Sequence, residues 1–345
     1  MTRGLSGAIA PDEVERMLKK DASLRTVLIT SPTYDGVCSD VRRIAEIVHQ
    51  YDGILIVDEA HGAHFGMHPY FPEHALTCGA DLVINSVHKT LPSLTQTALL
   101  HVQGMRVDRE RLKRFLGMYQ TSSPSYLLMA GIDACVRLLL EHGPELFDTF
   151  AKRLEGLRKQ LQSMQALELV RGTEPELGAY DYDRSKILVA THRSEIAGPE
   201  LSGMLRSRYQ LEMEMDSEHY VTAITTVADT EEGLQRLAEA LAAIDSELEC
   251  RTGKLARPFA AWKNEAVLRI GEAAEAGKKS MLLARSEGSI SAEFVYLYPP
   301  GIPLLVPGER ISGELLEKLL QYRANGFALE GMADYRGEEI QVVKA

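Results

Sequence analysis

Asp58 closes the apolar run Ile54-Leu55-Ile56-Val57, and Lys89 comes shortly after Leu82-Val83-Ile84, beyond Asn85-Ser86-Val87-His88. A carboxylate and an amine, each just past an apolar strand-like run, suit one aromatic aldehyde cofactor, pyridoxal 5'-phosphate (PLP). The lysine amine would condense with the aldehyde. The aspartate would face the pyridine nitrogen and keep it protonated, so that the ring draws electrons from a substrate carbon. Once displaced by a substrate amine, Lys89 would serve as a base or acid beside that carbon. Ala60, two residues after Asp58, is small enough for a ring to lie against the backbone, and Ser86 and His88 could hydrogen-bond a phosphate. The plainer reading of the same residues is a surface lysine and a loop aspartate, and spacing alone leaves both standing.

The elements around these residues alternate between strand and helix. Val27 to Thr30 reads as a short strand ending in the loop Ser31 to Gly36. Asp40 then caps a helix in which Val41, Ile44, Ala45, Ile47 and Val48 recur at helical spacing. Ile54 to Val57, Leu82 to Ile84 and Thr97 to Val102 read as further strands. This alternation predicts an open α/β sheet covered on both faces. In such sheets ligands bind beyond the carboxyl ends of the strands, where Asp58 and Lys89 both fall. From Tyr126 to Gln165 the pattern is helical, with an interruption expected at His142-Gly143-Pro144. A second α/β section has strands at Ile187 to Ala190 and near Val221 to Val227, then a helix from Glu231 to Leu248. Arg251 to Pro258 reads as a linker to a third unit.

With 345 residues, the chain has room for two or three domains. The net charge of −11 argues against a large nucleic-acid surface, which needs clustered lysine and arginine. No apolar run approaches the roughly 20 residues of a membrane span, and the first twenty residues hold no secretory apolar core. A cytoplasmic address is the expectation. Cys38, Cys78, Cys135 and Cys250 are scattered, with no zinc-like spacing, and read as reduced thiols, mostly buried.

Other motifs carry weaker readings. Asp58-Glu59-Ala60-His61 also occurs in DEAH-box helicases, but no GxxxxGK[ST] loop exists in this acidic chain. His61, His64 and His68 could share a metal, yet no HExxH pattern frames them, and hydrogen-bonded loop histidines are the simpler reading. Glu293 suits either the basic end of a substrate or a structural role. Tyr298-Pro299-Pro300-Gly301 reads as a rigid turn. The apolar stripe from Leu128 to Leu140 reads as core packing.

Two runs, ITSPTYDGVCSDVRRIAEIVHQYDGILIVDEAHGAHFGMHP and ADLVINSVHKTLPSLTQTALLHV, resemble the Orn/Lys/Arg decarboxylase family. QTSSPSYLLMAGID and ISAEFVYLYPPGIPLLVPGE resemble it as well, so the likeness runs in order through most of the chain. The resemblance implies a fold-type-I PLP-dependent, aspartate-aminotransferase-like α/β fold: an N-terminally incomplete large domain at 1–143, a smaller α/β domain at 144–250 and a C-terminal α+β domain at 259–345. It implies Lys89 as the cofactor-binding lysine, Asp58 as the pyridine partner and His61 beside the cofactor's phenolic oxygen. Ser86 and His88 fall on phosphate-contacting positions, with His88 also counted among the catalytic residues, and Ala60, by its small size, is counted among the cofactor-binding ones. Thr121 falls on a position that reaches the phosphate of a neighbouring subunit, implying a homodimer or higher oligomer.

The implied activity is decarboxylation of arginine, lysine or ornithine. In the family, further strands, a Gly/Ser/Thr phosphate loop and a ring-stacking histidine precede the strand that matches Val27 to Thr30. None is visible between Met1 and Val27. The sequence therefore leads us to expect weak PLP binding by this chain alone, and the alternative is a non-catalytic, dimer-forming or regulatory relative.

Overall fold

The computed structural model describes residues 5–251, 264–298 and 301–344. The chain divides into two compact units, Met1–Pro258 and Phe259–Ala345. In the first, helix α1 (Pro11–Lys20) precedes strand β1 (Thr26–Thr30), β2 (Val37–Cys38), α2 (Val41–Gln50) and β3 (Ile54–Asp58). After these come β4 (Leu82–Asn85), the single turn α3 (Val87–Thr90), β5 (Leu99–Val102), α4 (Arg109–Tyr119) and the long α5 (Tyr126–Leu161). The rest of the unit holds β6 (Glu168–Leu169), β7 (Asp181–Tyr182), β8 (Lys186–Ala190), α6 (Gly198–Tyr209), β9 (Met215–Asp216), β10 (Tyr220–Ile224) and α7 (Glu231–Glu247).

The first sheet has the order β1-β3-β4-β5, with β1, β3 and β4 parallel and β5 antiparallel at the edge. Its buried face carries Ile29, Leu55, Val57 and Val83, which pack against Ile44, Ile47 and Val48 of α2 and Val14 and Leu18 of α1. Asp40 caps α2 by accepting the Arg43 amide at 2.9 Å, as the sequence leads one to expect. Helix α1 is not anticipated in that reading. Its signals are Pro11 at the start, acidic Asp12 and Glu13 in the first turn, Lys19 and Lys20 in the last, and Val14 and Leu18 four residues apart.

The opposite face of this sheet is not covered as expected. Leu28 is 63% exposed, and its register partner Ile56 and the nearby Ile84 are only half-buried. Asp58 lies on this same open face, two residues after Ile56. Strand runs that are apolar on both sides announce two-sided burial, but among the described residues Leu28, Ile56 and Ile84 are left incompletely covered.

Helix α5 also departs from the sequence reading. It continues through Gly143 and Pro144 as one helix of 36 residues. A proline inside a helix costs about 3 kcal/mol through a lost hydrogen bond and a ring clash. The second half of α5 offsets this by burying Phe147, Phe150, Leu154, Leu157 and Leu161 in the main core. Before Gly143 the helix contributes little to the core: Tyr126, Leu127, Met129, Val136 and Leu140 are exposed, and only Cys135 is buried there.

The second sheet, β6-β8-β10-β9, is antiparallel and packs on α5, α6 and α7 through Ile187, Val189 and Val221. A two-stranded bridge joins the parts of the unit: β2 pairs with β7, Val37 opposite Tyr182 and Cys38 opposite Asp181. That bridge sets the start of β8 behind the loop that follows β1.

The C-terminal unit contains α8 (Ile270–Glu275), β11 (Lys278–Leu282), β12 (Val295–Tyr296), β13 (Pro303–Leu305), α9 (Gly313–Ala324) and β14 (Glu339–Val343). Strands β11 and β14 pair antiparallel, and Leu315, Leu319, Leu305 and Ile340 share its core. Residues 252–258 of the expected linker, and Pro299 and Pro300 of the expected turn, lie outside the described residues. All four cysteines are free; Cys38 and Cys135 are buried, Cys78 is partly buried and Cys250 is exposed. Among the described residues, no helix is long and apolar enough to cross a membrane.

Candidate functional site

The parallel pairing of β3 with β4 puts Asp58 opposite Ile84, at the carboxyl ends of both strands. The chain leaves β4 through Ser86 and turns once as α3, which carries His88 and Lys89. Asp58 is half-buried, and its Oδ1 accepts the Ala60 amide at 3.0 Å. Its second oxygen has no protein partner among the described residues.

Lys89 Nζ lies 3.0 Å from His61 Nε2, so the structure joins two residues that are 28 positions apart in sequence. His88 donates from Nδ1 to the Thr97 carbonyl at 2.8 Å, which fixes its tautomer and leaves Nε2 as an acceptor when the ring is neutral. Ser86 stands at the N-terminus of α3 without using its hydroxyl to cap the turn. These groups form one cluster at the strand ends. Thr121 makes no hydrogen bond to it among the described residues. It is exposed between α4 and α5, and its Oγ1 accepts the Ser123 amide at 3.3 Å.

His61 is the most constrained side chain of the cluster. It is 7% exposed, its ring centroid lies 4.6 Å from that of Tyr34, and its Nδ1 is 3.3 Å from Lys186 Nζ. Burial first, then the charges of Lys186 and Lys89, push its pKa down to about 2. The ring is therefore neutral at working pH.

This has a measurable consequence. The unfolded chain protonates His61 near the ordinary value of 6.5, while the folded chain does not until far lower pH. The corresponding stability is present above that value and is lost as pH falls from 6.5 towards the folded pKa. Taking the pH down to 5 should remove about 2 kcal/mol through this ring alone. Urea unfolding at neutral pH and at about pH 5 should show this fall, and His61→Gln should remove most of it. A fall of the same size in the variant would assign the pH dependence to other groups.

Sequence reasoning missed Lys186, Asp183 and Tyr34. Lys186 opens β8 and is wholly buried, with 0% exposure. Asp183, equally buried, accepts from His64 Nε2 at 3.1 Å and from the Ser185 hydroxyl at 2.7 Å. Burial raises the Asp183 pKa, but His64, Lys186 and Ser185 outweigh it and hold the carboxyl below its usual range. Tyr34 donates to Glu214 at 2.5 Å. The one available signal was a lysine placed directly before the uninterrupted apolar run Ile187 to Ala190.

The weaker motifs resolve differently. Glu59 is buried, accepting the Ala75 amide at 2.8 Å and the Asn85 side-chain amide at 3.0 Å, with His74 Nε2 at 3.1 Å. It braces the loop instead of facing the Asp58 side of the sheet. The three histidines take separate partners, His61 the two lysines, His64 Asp183, and His68 the Tyr70 amide. Glu293 is structural: its two oxygens accept the backbone amides of Ala333 and Gln341 within the C-terminal unit.

The donor set fits PLP: a primary amine for the aldehyde, a carboxylate with an open oxygen for the pyridine nitrogen, and a hydroxyl and an imidazole nitrogen for phosphate oxygens.

Comparisons with known proteins bear on the family and the fold. Residues 3–180 match the profile of the Orn/Lys/Arg decarboxylase major domain, and residues 265–330 match that of the Orn/Lys/Arg decarboxylase C-terminal domain. The chain is 30% identical to an arginine decarboxylase of Bacillus subtilis and 31% identical to one of Halalkalibacterium halodurans, covering 99% of itself and 70% of each relative. Among solved structures, the constitutive lysine decarboxylase of Escherichia coli superposes with a TM-score of 0.76 at 19% identity, over 97% of this chain and 61% of that one. The pyridoxamine-pyruvate aminotransferase of Mesorhizobium loti superposes at 0.54 with 16% identity, over 70% of this chain and 64% of that one. The fold is thus the fold-type-I, aminotransferase-like α/β fold. With both profiles matched in order and about 30% identity along its length, the chain belongs to the Orn/Lys/Arg decarboxylase family.

Proposed function

We propose that this chain performs the PLP-dependent decarboxylation of a basic amino acid, releasing CO2 and the corresponding amine. The observation that carries the reading is the cluster at the ends of β3 and β4, with Lys89 held on His61 and Asp58 open on one oxygen. Lys89 would bind the cofactor covalently, and Asp58 would hold a proton on its pyridine nitrogen. Ser86 and His88 would take phosphate oxygens, and Ala60 and His61 would line the ring. Bound there, PLP supplies an electron-withdrawing ring that accepts the electron pair left when the carboxylate departs as CO2. Lys89, freed by the substrate amine, is the group placed to deliver a proton to that carbon.

The names of the relatives make arginine the first substrate to assay. With PLP in large excess, the chain should release CO2 from arginine, lysine or ornithine and form the matching amine, read by trapped CO2 and mass spectrometry. Cofactor attachment without CO2 from any of the three would replace this reading with the non-catalytic one.

A homodimer belongs to the same proposal. Thr121 lies among exposed apolar side chains, with Phe115, Met118 and Tyr119 before it and Tyr126, Leu127 and Met129 after it. Exposed apolar side chains on both sides of Thr121 in the sequence suit a subunit contact, and such a contact would bring Thr121 to a partner's cofactor phosphate.

A further inference from the structure

A single imidazole lies between two lysines: His61 Nε2 is 3.0 Å from Lys89 Nζ, and Nδ1 is 3.3 Å from Lys186 Nζ. A neutral imidazole has one N–H and one lone pair, and an ammonium group only donates. With the ring neutral, both contacts are hydrogen bonds when the amine facing the ring N–H is a neutral acceptor and the other amine donates, as an ammonium or as a free amine. At most one of the two amines then carries a positive charge.

Lys186 has no route to water. Its exposure is 0%, and its stem packs so closely on Gly36 that a Cβ there would lie 2.9 Å from Lys186 Cγ. Gly36 also has φ +92°, a conformation that strains any side-chain-bearing residue. No carboxylate of the described residues comes within ion-pair distance of Lys186, so His61 is its direct partner.

We propose that Lys89, His61 and Lys186 form a proton relay, in which the buried Lys186 takes up the proton that Lys89 must lose to become a nucleophile. This deepens the reading of Lys89 as the reacting amine and rests on it. In the first arrangement Lys89 is the ammonium and donates to Nε2, while Nδ1–H donates to the neutral Lys186. Moving the Lys89 proton to Nε2, and the Nδ1 proton to Lys186, leaves Lys89 a free amine and Lys186 an ammonium. No proton is gained or lost, and both hydrogen bonds persist with their direction reversed.

The surroundings suit both states. Facing Lys186 are Asp183 from the turn before β8, Asp35 from the loop after β1 and Glu214 from the segment before β9, all of which favour charge there. Burial and Lys89 oppose it, and burial, the largest influence, sets the amine below the ordinary lysine value. Facing His61, besides the two lysines, are Asp183 and His64. Its resistance to protonation makes the paired transfer the available path instead of a stable imidazolium. Lys186 is thus a positioning residue that acts on Lys89 through His61.

The test uses the full chain without cofactor, so its result stands apart from the success or failure of the decarboxylase reading. Limiting acetic anhydride is applied across a pH series, with Lys89 and the exposed Lys113 quantified by peptide mass spectrometry. Over about pH 7 to 9, an ordinary lysine gains reactivity about tenfold per pH unit, because its free-amine fraction does. Lys113 should do so, while Lys89 should change less than about threefold across the same range. Lys186→Met should give Lys89 the ordinary tenfold slope. His61→Gln, which cuts the connection and leaves Lys186 in place, should do the same and carries the test if Lys186→Met does not fold by circular dichroism. A tenfold-per-unit slope for Lys89 in the unaltered chain, or a flat profile surviving in a folded variant, would overturn the relay.

Discussion

Replacing Lys89 by alanine is expected to abolish covalent attachment of PLP while the chain stays folded. The amine is half-buried on a single turn of helix, and removing it deletes one hydrogen bond, to His61. Such a loss costs about 1 kcal/mol, a small part of the stability of a domain. No second amine replaces it, because Lys186 sits on the far side of the His61 ring with no exposed surface. Borohydride reduction of the PLP-treated chain, followed by peptide mapping, should place the label on Lys89 and find none in the Lys89→Ala protein. A label on any other lysine, Lys186 included, would move the cofactor site and with it the proposed function.

Asp58→Asn should separate attachment from turnover. The asparagine keeps an oxygen for the Ala60 amide, so the bend after β3 survives. Lys89 is untouched, and PLP should still attach. What disappears is the negative charge that holds a proton on the pyridine nitrogen, and with it the ring's capacity to accept electrons from the reacting carbon. Turnover per bound cofactor should fall on the order of a hundredfold to ten-thousandfold, the usual scale for a lost proton-handling group. The measurement is CO2 release normalised to cofactor absorbance in both proteins. Turnover near the parent's would assign Asp58 another task and would favour ring activation by a different group.

Both variants act on residues that were legible in the sequence, because Asp58 ends a short apolar run, Lys89 follows another within a few residues, and such runs predict strands by themselves. Hydrophobic period and capping are local signals, written within ten or so residues. That is why β1, β3, β4, β8 and the Asp40 cap of α2 fall where the sequence puts them. The family resemblance likewise rests on contiguous strings and is borne out by the profile matches.

Other features are invisible at that range. Pro144 reads as a helix break, yet the contacts of Phe147, Phe150 and Leu154 with the second sheet hold α5 continuous. The first sheet reads as covered on both faces, and only the packing shows that Leu28 is left exposed. Glu293 reads equally as facing a substrate's basic end or as structural, and the fold decides for the second by bringing it the amides of Ala333 and Gln341.

By itself, then, the sequence determined the alternating elements and put Asp58 and Lys89 at strand ends, because local pattern and strand polarity suffice for that. Only the tertiary structure decided that His61 lies between two lysines. The contact to Lys186 spans 125 positions and depends on the pairing of β2 with β7, a two-residue match that no local pattern encodes. The lowered proton affinities of His61 and Lys186 follow first from burial, and burial is a property of the packed molecule, not of any segment of it.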